Sequence, residues 1–342
     1  MFWKKNRLTI TRIVFPLYVV IFIGCASKPS SVGQEGALLI VSDPLDLPII
    51  RNEVNRRFGK MIYTPQPETE FRMSWIDADV LSNYTSAPLV LLASTIDGDG
   101  PTANLLRKML SPSIMDGVNS GEYVVFRREN PWSRPQMLLI IIGRNKKELG
   151  ANMVEWSDSL YTWADDFERK RVRNQLFRKG EQRDIEKYIT EQYGFKLRVQ
   201  HDYLIAQEND SLDFIRLIRH YPERWIMVAS GELNKGEVFN AKFIYDRRKL
   251  IGGSFLDPVM TYDDNWSSEK TTFNGVDGIL VRGLWATLSP TGGGPYFCYG
   301  IKIPDSDRYY LVDGAAFAPG EEKIHLLWQL EIIARTFELP DN

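Results

Sequence analysis

One long apolar stripe divides this chain in two. Leu149, Met153, Trp156, Leu160, Trp163 and Phe167 recur at alternating spacings of four and three, the repeat that aligns side chains on one face of a helix. The spacing predicts a helix from about Lys146 to Lys179, with Gly180 as the residue past its end. An aromatic stripe of this kind packs on a sheet more readily than it displays a ligand platform. A second helix is expected from Glu181 to Tyr193, with Ile185, Tyr188 and Ile189 on one face and Gly194 as its stop.

Before the long helix, short apolar runs alternate with helical patterns. "GALLIVSD" from Gly36, "FRMSWI" from Phe71 and "APLVLLAS" from Ala87 read as strands. A helix is expected through Ile49, Val54 and Phe58, and "GPTANLLRKML" opens with proline at an early helical position. "EYVVFRR" and "QMLLIIIG" read as two strands joined by "ENPWSRP". The order β-α-β-β-α-β plus a strand matches the split βαβ, ferredoxin-like arrangement.

The second half reads as a looser echo, resting on element order alone. Strands are expected at Phe195–Val199, "YLIAQ", Trp225–Ser230, "GILVRGLWATL", "YFCYGIKI" and "RYYLVDGAAFA". Helices are expected over Val238–Leu250 and Glu321–Phe337, and Tyr262–Phe273 reads as a surface loop. The fold class is therefore α+β: two ferredoxin-like-type α/β lobes, with mixed or antiparallel sheets, joined by the long helix.

The start of the chain sets the compartment. Lys4, Lys5, Arg7 and Arg12 precede the apolar run "IVFPLYVVIFIG", which Pro16 and Gly24 interrupt. A bilayer span needs roughly 20 apolar residues, and the run is shorter. It fits a cleaved signal peptide. Phe22-Ile23-Gly24-Cys25 resembles the bacterial lipobox, with Phe22 in place of the usual leucine. That resemblance implies diacylglyceryl attachment at Cys25, cleavage before it and acylation of the new amine, and several acyl chains hold a protein firmly on a membrane. The domain plan is then a signal peptide over 1–24, a lipidated cysteine with a flexible tether over 25–35, an N-terminal lobe over 36–144, the two helices over 145–194 and a C-terminal lobe over 195–342.

Composition narrows the chemistry. The net charge of −2 gives no global basic field for nucleic acid. With Cys25 lipidated, Cys298 is the one thiol left, so no intramolecular disulfide and no cysteine zinc site forms; in "PYFCYG" it reads as a core thiol. His201, His220 and His325 stand far apart, and no nucleophile elbow, P-loop or dinucleotide fingerprint occurs. No cofactor or metal is expected, and no catalytic residue is assigned. "DGDG" at Asp97–Gly100 reads as a tight turn rather than a calcium loop.

Three segments are candidates for binding. In "RGLWATLSPTGGGPYF", Arg282 and Trp285 offer a charge and a flat apolar face, and Gly292, Gly293 and Gly294 allow close approach to the main chain; a hairpin turn with a packed tryptophan is the structural alternative. Trp132, in "NPWSRPQ", sits on a loop where it either anchors a partner or covers a sheet edge. The basic run Glu168–Lys179 meets an anionic lipid or polymer, or is a solvated face near a helix end.

The lipobox, "GALLIVSD", "NPWSRPQMLLII", "VRGLWATL", "GGGPYF" and "VDGAAFAP" come in an order that resembles the domain-of-unknown-function family 4837, a group of bacterial envelope lipoproteins. The likeness runs from about Gly36 to Phe337, and Asp313 stands where family members often carry glutamate. It implies an envelope lipoprotein and carries over no catalytic residue. The expectation is a non-enzymatic, lipid-anchored module that binds an envelope protein or a ligand, with the membrane as its other partner. Ala26 and Ser27 lack the aspartate that often retains lipoproteins at the inner membrane, which favours the outer membrane, facing the periplasm. The alternative is a hydrolase of an envelope polymer, with Asp257 or Asp313 near Arg282.

Overall fold

The computed structural model describes residues 28–62, 64–254, 259–261, 266–287 and 292–339. The first lobe holds β1 (Ala37–Val41), α1 (Leu47–Phe58), the small hairpin of β2 (Met61–Ile62) and β3 (Glu68–Thr69), and β4 (Arg72–Ile76). It continues through a 3₁₀ segment (Ala78–Tyr84), β5 (Leu89–Thr95), α2 (Pro101–Met109), α3 (Pro112–Ser120), β6 (Val125–Glu129) and β7 (Met137–Gly143). Its main sheet has the order β4-β1-β5-β7-β6. β1 runs parallel to β4 and β5, and β5 parallel to β7; only β6 is antiparallel, forming the expected hairpin with β7.

The α+β architecture with two lobes and mixed or antiparallel sheets is borne out, but the ferredoxin-like strand order is not. The reason lies in the strands themselves. Every residue of β5 and of β7 is buried, as happens when helices cover both faces of a largely parallel sheet. Leu91 and Leu139 face α1 and the following long helix, whereas Val90, Leu138 and Ile140 face Leu106 of α2 and Val118 of α3.

The long helix, α4, spans Lys146–Arg178. Asn145 caps it by accepting from the Glu148 N–H at 3.1 Å, and Gly180 follows it at φ +113°. At 1.5 Å per residue it is about 50 Å long. Its first part buries Leu149, Met153, Leu160 and Ala164 in the first lobe; further on, Val172 and Leu176 pack on the second. α5 (Arg183–Tyr193) ends at Gly194, φ +78°.

The second lobe is built from β8 (Leu204–Asn209), β9 (Phe214–Arg219), β10 (Glu223–Glu232), α6 (Ala241–Gly252), β11 (Val259–Thr261), β12 (Ser267–Phe273), β13 (Val276–Thr287), β14 (Gly293–Lys302), β15 (Arg308–Phe317) and α7 (Ile324–Ala334). The sheet order is β11-β13-β14-β15-β10-β9-β8, with β12 also on β13, and the pairs are antiparallel. The second half is therefore no echo of the first, whose sheet is mainly parallel. Phe195–Val199 forms no named strand, only a bridge of Lys196 to Glu338. Ser267–Phe273 of the expected loop is a strand, while residues 262–265 lie outside the described residues.

Helices cover both faces of this sheet too. Phe297, Tyr299 and Val312 pack under α5 and α7, and Val281, Trp285 and Cys298 pack under α6. α7 also ties the lobes together. Glu68 of the first lobe accepts the N–H groups of Lys323 and Ile324 at 2.7 Å each, at the positive end of the helix. Gln329 donates to Glu35 at 2.8 Å.

Candidate functional site

Arg282 and Trp285 are expected as one binding pair, but they stand three positions apart on a strand, with Gly283 and Leu284 between them. Side chains on a strand alternate between faces. Arg282 points to the α7 face, where Nη1 donates to Glu331 at 2.5 Å. Trp285 lies on the α6 face, 4% exposed, with its ring 5.0 Å from that of Trp225. The two share no surface on which a ligand could touch both.

Asp313 is not near Arg282 either. It is buried on the α6 face, where its carboxylate accepts from Arg248 Nε at 2.5 Å. The Arg248 guanidinium lies 3.5 Å from the Tyr296 ring centre. Cys298 belongs to the same core, fully buried, and burial pushes its thiol well above the usual range.

The glycines serve strand contact. A side chain at Gly294 would put its Cβ 1.9 Å from the Ala316 carbonyl oxygen, and one at Gly293 would stand 3.0 Å from the Trp285 carbonyl. Gly292 lies against Thr287, and its carbonyl accepts the Thr287 N–H at 2.9 Å. Trp132 is half-buried against the α2–α3 side of the first lobe. Cys25 and Asp257 lie outside the described residues.

The basic run on α4 splits. Arg171 is buried and paired with Glu168 at 2.8 Å, and Arg169 bonds Asp165 at 2.9 Å and Glu331 at 3.2 Å. The first two pairs lie within α4, and the Arg169–Glu331 pair ties α4 to α7 of the second lobe. Arg173 is different: it is exposed and makes no ion pair among the described residues.

Arg173 lines a groove of about 670 Å³ between α4, α5 and the segment after α7. Five more cations line it: Arg183, Lys187, Lys196, Arg198 and Arg335. Three carboxylates accompany them, Glu186, Glu191 and Glu338. Some charges are matched inside. Arg183 meets Glu186 at 2.7 Å, and Lys187 and Lys196 approach Glu191 and Glu338 at 3.7 Å. Arg198 bonds Glu181 at 2.7 Å, and that hydrogen bond leads the causes holding the Glu181 carboxyl below its ordinary value.

A second, apolar notch of about 180 Å³ shares Asn274 and Glu338 with the groove. Phe273, Val276, Ile301, Phe337 and Leu339 line it. The pair of hollows thus places a cationic wall beside an apolar socket. Two carboxyls elsewhere, Glu35 and Asp165, are raised chiefly by burial, and both are tied into the joint between the lobes. Among the described residues no group of three or more His, Cys, Asp or Glu side chains is arranged to hold a metal ion.

Sequence reasoning named the basic run but not the groove. Its cations come from α4, α5, the stretch after α5 and the end of α7, and only folding assembles them. Among the described residues no helix is long and apolar enough to cross a membrane.

Residues 182–336 match the model of a family described as Domain of unknown function (DUF4837). This bears out the resemblance read from the sequence, over a shorter span than expected, and the match takes in most of the groove. No curated protein matches the sequence significantly. Among solved structures, the Ran-binding protein Mog1p of Saccharomyces cerevisiae is similar at 11% identity and a TM-score of 0.31, covering 43% of this chain and 91% of its own. LpqN of Mycobacterium tuberculosis, described as involved in cell envelope biogenesis, is similar at 14% identity and a TM-score of 0.30, covering 43% and 83%. A protein from Bacteroides thetaiotaomicron gives 10% identity and 0.28, covering 44% and 46%. Scores at this level carry no argument about function.

Proposed function

We propose that this protein is a lipid-anchored module of the cell envelope that binds an anionic ligand in the groove beside α5 and does no chemistry on it. The observation that carries this reading is the excess of cations in that groove, six against three carboxylates. Arg173 stands there without a counter-ion among the described residues. A concave wall with an excess of one sign focuses the field and draws in the opposite charge, and here the excess is carried by Arg173 and Arg335, since the other four cations have carboxylate partners. The apolar notch at its rim selects a ligand that carries an apolar group next to its anionic one. The ligand is the anionic part of an envelope protein or a small molecule.

The anchor rests on the basic start, the short apolar run and Cys25. Ala26 and Ser27 favour the outer membrane, on its periplasmic side. The hydrolase reading finds less support. Asp313 and Arg282 are each locked in an internal ion pair, on opposite faces of the sheet.

Phenyl phosphate carries both features the hollows select, and titration calorimetry measures it. It is expected to bind more tightly than inorganic phosphate, and added salt should weaken it. Arg173→Glu together with Lys187→Glu, both exposed and off the core, should weaken it at least about tenfold. Equal affinity in the reversed variant would refute the groove as the site.

A further inference from the structure

Residues 28–35, expected to be a free tether, are strapped to the body. The Pro29 carbonyl accepts the Arg134 N–H at 2.9 Å, Ser31 donates to the Arg134 carbonyl at 3.0 Å, and Val32 donates to the Ser86 carbonyl at 2.8 Å. The Lys28 ammonium donates to the Asn130 carbonyl. Cys25 lies three residues upstream of Lys28. Three residues span at most about 11 Å, and the headgroup layer of a leaflet is itself about 5–7 Å thick. An acylated Cys25 therefore holds the body at the membrane surface, not on a stalk.

The strapped end is a braced platform. Gln136 is fully buried between two loops. Its Oε1 accepts the N–H groups of Trp132 and Ser133 at 3.0 and 3.1 Å. Its Nε2 donates to the carbonyls of Thr85 and Ala87 at 2.9 and 2.6 Å. The platform displays Lys28, Arg128 and Arg134 against one exposed carboxylate, Glu129. Val32 and Tyr84 stand 72% and 44% exposed beside them, and tyrosine and tryptophan favour the headgroup level of a bilayer.

We propose that this end of the first lobe, formed by the 84–88 and 130–136 loops, lies against an anionic phospholipid surface and fixes the orientation of the protein on its membrane. The proposal rests on the lipid-anchor reading above. It assigns Trp132 a place beside the headgroups, not in a protein interface. The groove, some distance along α4 in the second lobe, is then held at a set orientation to the bilayer.

The test uses the full protein, extracted with its lipid and reconstituted in vesicles of phosphatidylethanolamine and phosphatidylglycerol. An environment-sensitive fluorophore is placed by Arg134→Cys and, in a separate variant, by Leu45→Cys. Leu45 is 74% exposed and follows the carboxyl end of β1, the opposite end of the sheet; Cys298 is buried and does not compete. Headgroup-nitroxide lipids should quench the Arg134→Cys label several-fold more than the Leu45→Cys label. A flexible insertion after Ser27 should reduce that difference. Equal quenching at both sites in protein that sediments with vesicles overturns the orientation and leaves the anchor intact. Protein that does not associate with vesicles at all overturns both.

Discussion

Replacing Glu331 with alanine is expected to destabilise the fold by about 3–5 kcal/mol, the usual result of removing one partner from a buried ion pair. The carboxylate is only 4% exposed, and three elements meet at it. Arg282 of β13 donates at 2.5 Å and Arg169 of α4 at 3.2 Å, while Glu331 itself belongs to α7. Alanine leaves Arg282 without its partner. Arg169 keeps only Asp165. The thermal midpoint should fall by on the order of 10 °C. The double replacement Glu331→Leu with Arg282→Met removes both charges together and should recover much of the loss, because the cost lies in the stranded guanidinium. If the double variant is no better than Glu331→Ala, packing rather than charge holds this joint.

The second large effect is an acid limb set by His325. Its ring is buried at the head of α7, beside Trp328 at 5.2 Å between ring centres, and neither ring nitrogen has a hydrogen-bond partner among the described residues. Burial first, and then the Arg72 charge, lower its pKa to about 3. The unfolded chain takes up a proton near pH 6.5 while the folded one does not, so the unfolded state binds more protons in that window. Stability is then fully present above pH 6.5 and is lost as the pH falls from 6.5 towards 3. Each tenfold difference in proton affinity is worth roughly 1.4 kcal/mol, so the window spans several kcal/mol.

Glu331 adds to the limb at its lower end. Burial pushes its carboxyl up, but Arg282 and Arg169 together outweigh burial and hold it below the ordinary glutamate value of 4.5. Its contribution is present above pH 4.5 and disappears as the pH falls through the lowered value. Urea unfolding of His325→Leu should therefore show no loss of stability between pH 6.5 and 4.5, where the parent declines; the raised Glu35 and Asp165 carboxyls act in the opposite sense in both proteins. A parent protein equally stable at pH 6.5 and 4.5 would contradict this account of α7.

How far the fold was legible depends on which rule each segment obeyed. The α4 stripe from Leu149 to Phe167 and its stop at Gly180 follow the helical repeat, and the structure follows the pattern closely. The apolar runs of β5 and β7 announced strands, and "ENPWSRP" announced the hairpin. Strand partners were another matter. Parallel pairing of β1 with β4 and β5 depends on helices arriving on both faces, and a strand carries no mark of which neighbour it takes. The lack of polar alternation in "LVLLAS" and "MLLIII" was the available signal that both faces are covered.

Arg282 and Trp285 show a different miss. Their odd spacing on a strand already implied opposite faces, and the structure confirms it. The glycine run is compatible with either close approach of a ligand or a turn between strands; at Gly294 the Ala316 carbonyl of the neighbouring strand takes the space. The groove was hidden for a physical reason. Arg173 and Arg335 are far apart in sequence, and neither differs locally from any solvated cation.

The central claim is that the protein is an anchored binder whose ligand occupies the cationic groove. Native mass spectrometry of the protein gently extracted from its own membrane tests it most directly. The account predicts a chain beginning at an acylated Cys25 and carrying an anionic ligand that the Arg173→Glu, Lys187→Glu variant loses. A bare, uncleaved chain, or a ligand that the reversed groove retains equally well, would contradict it.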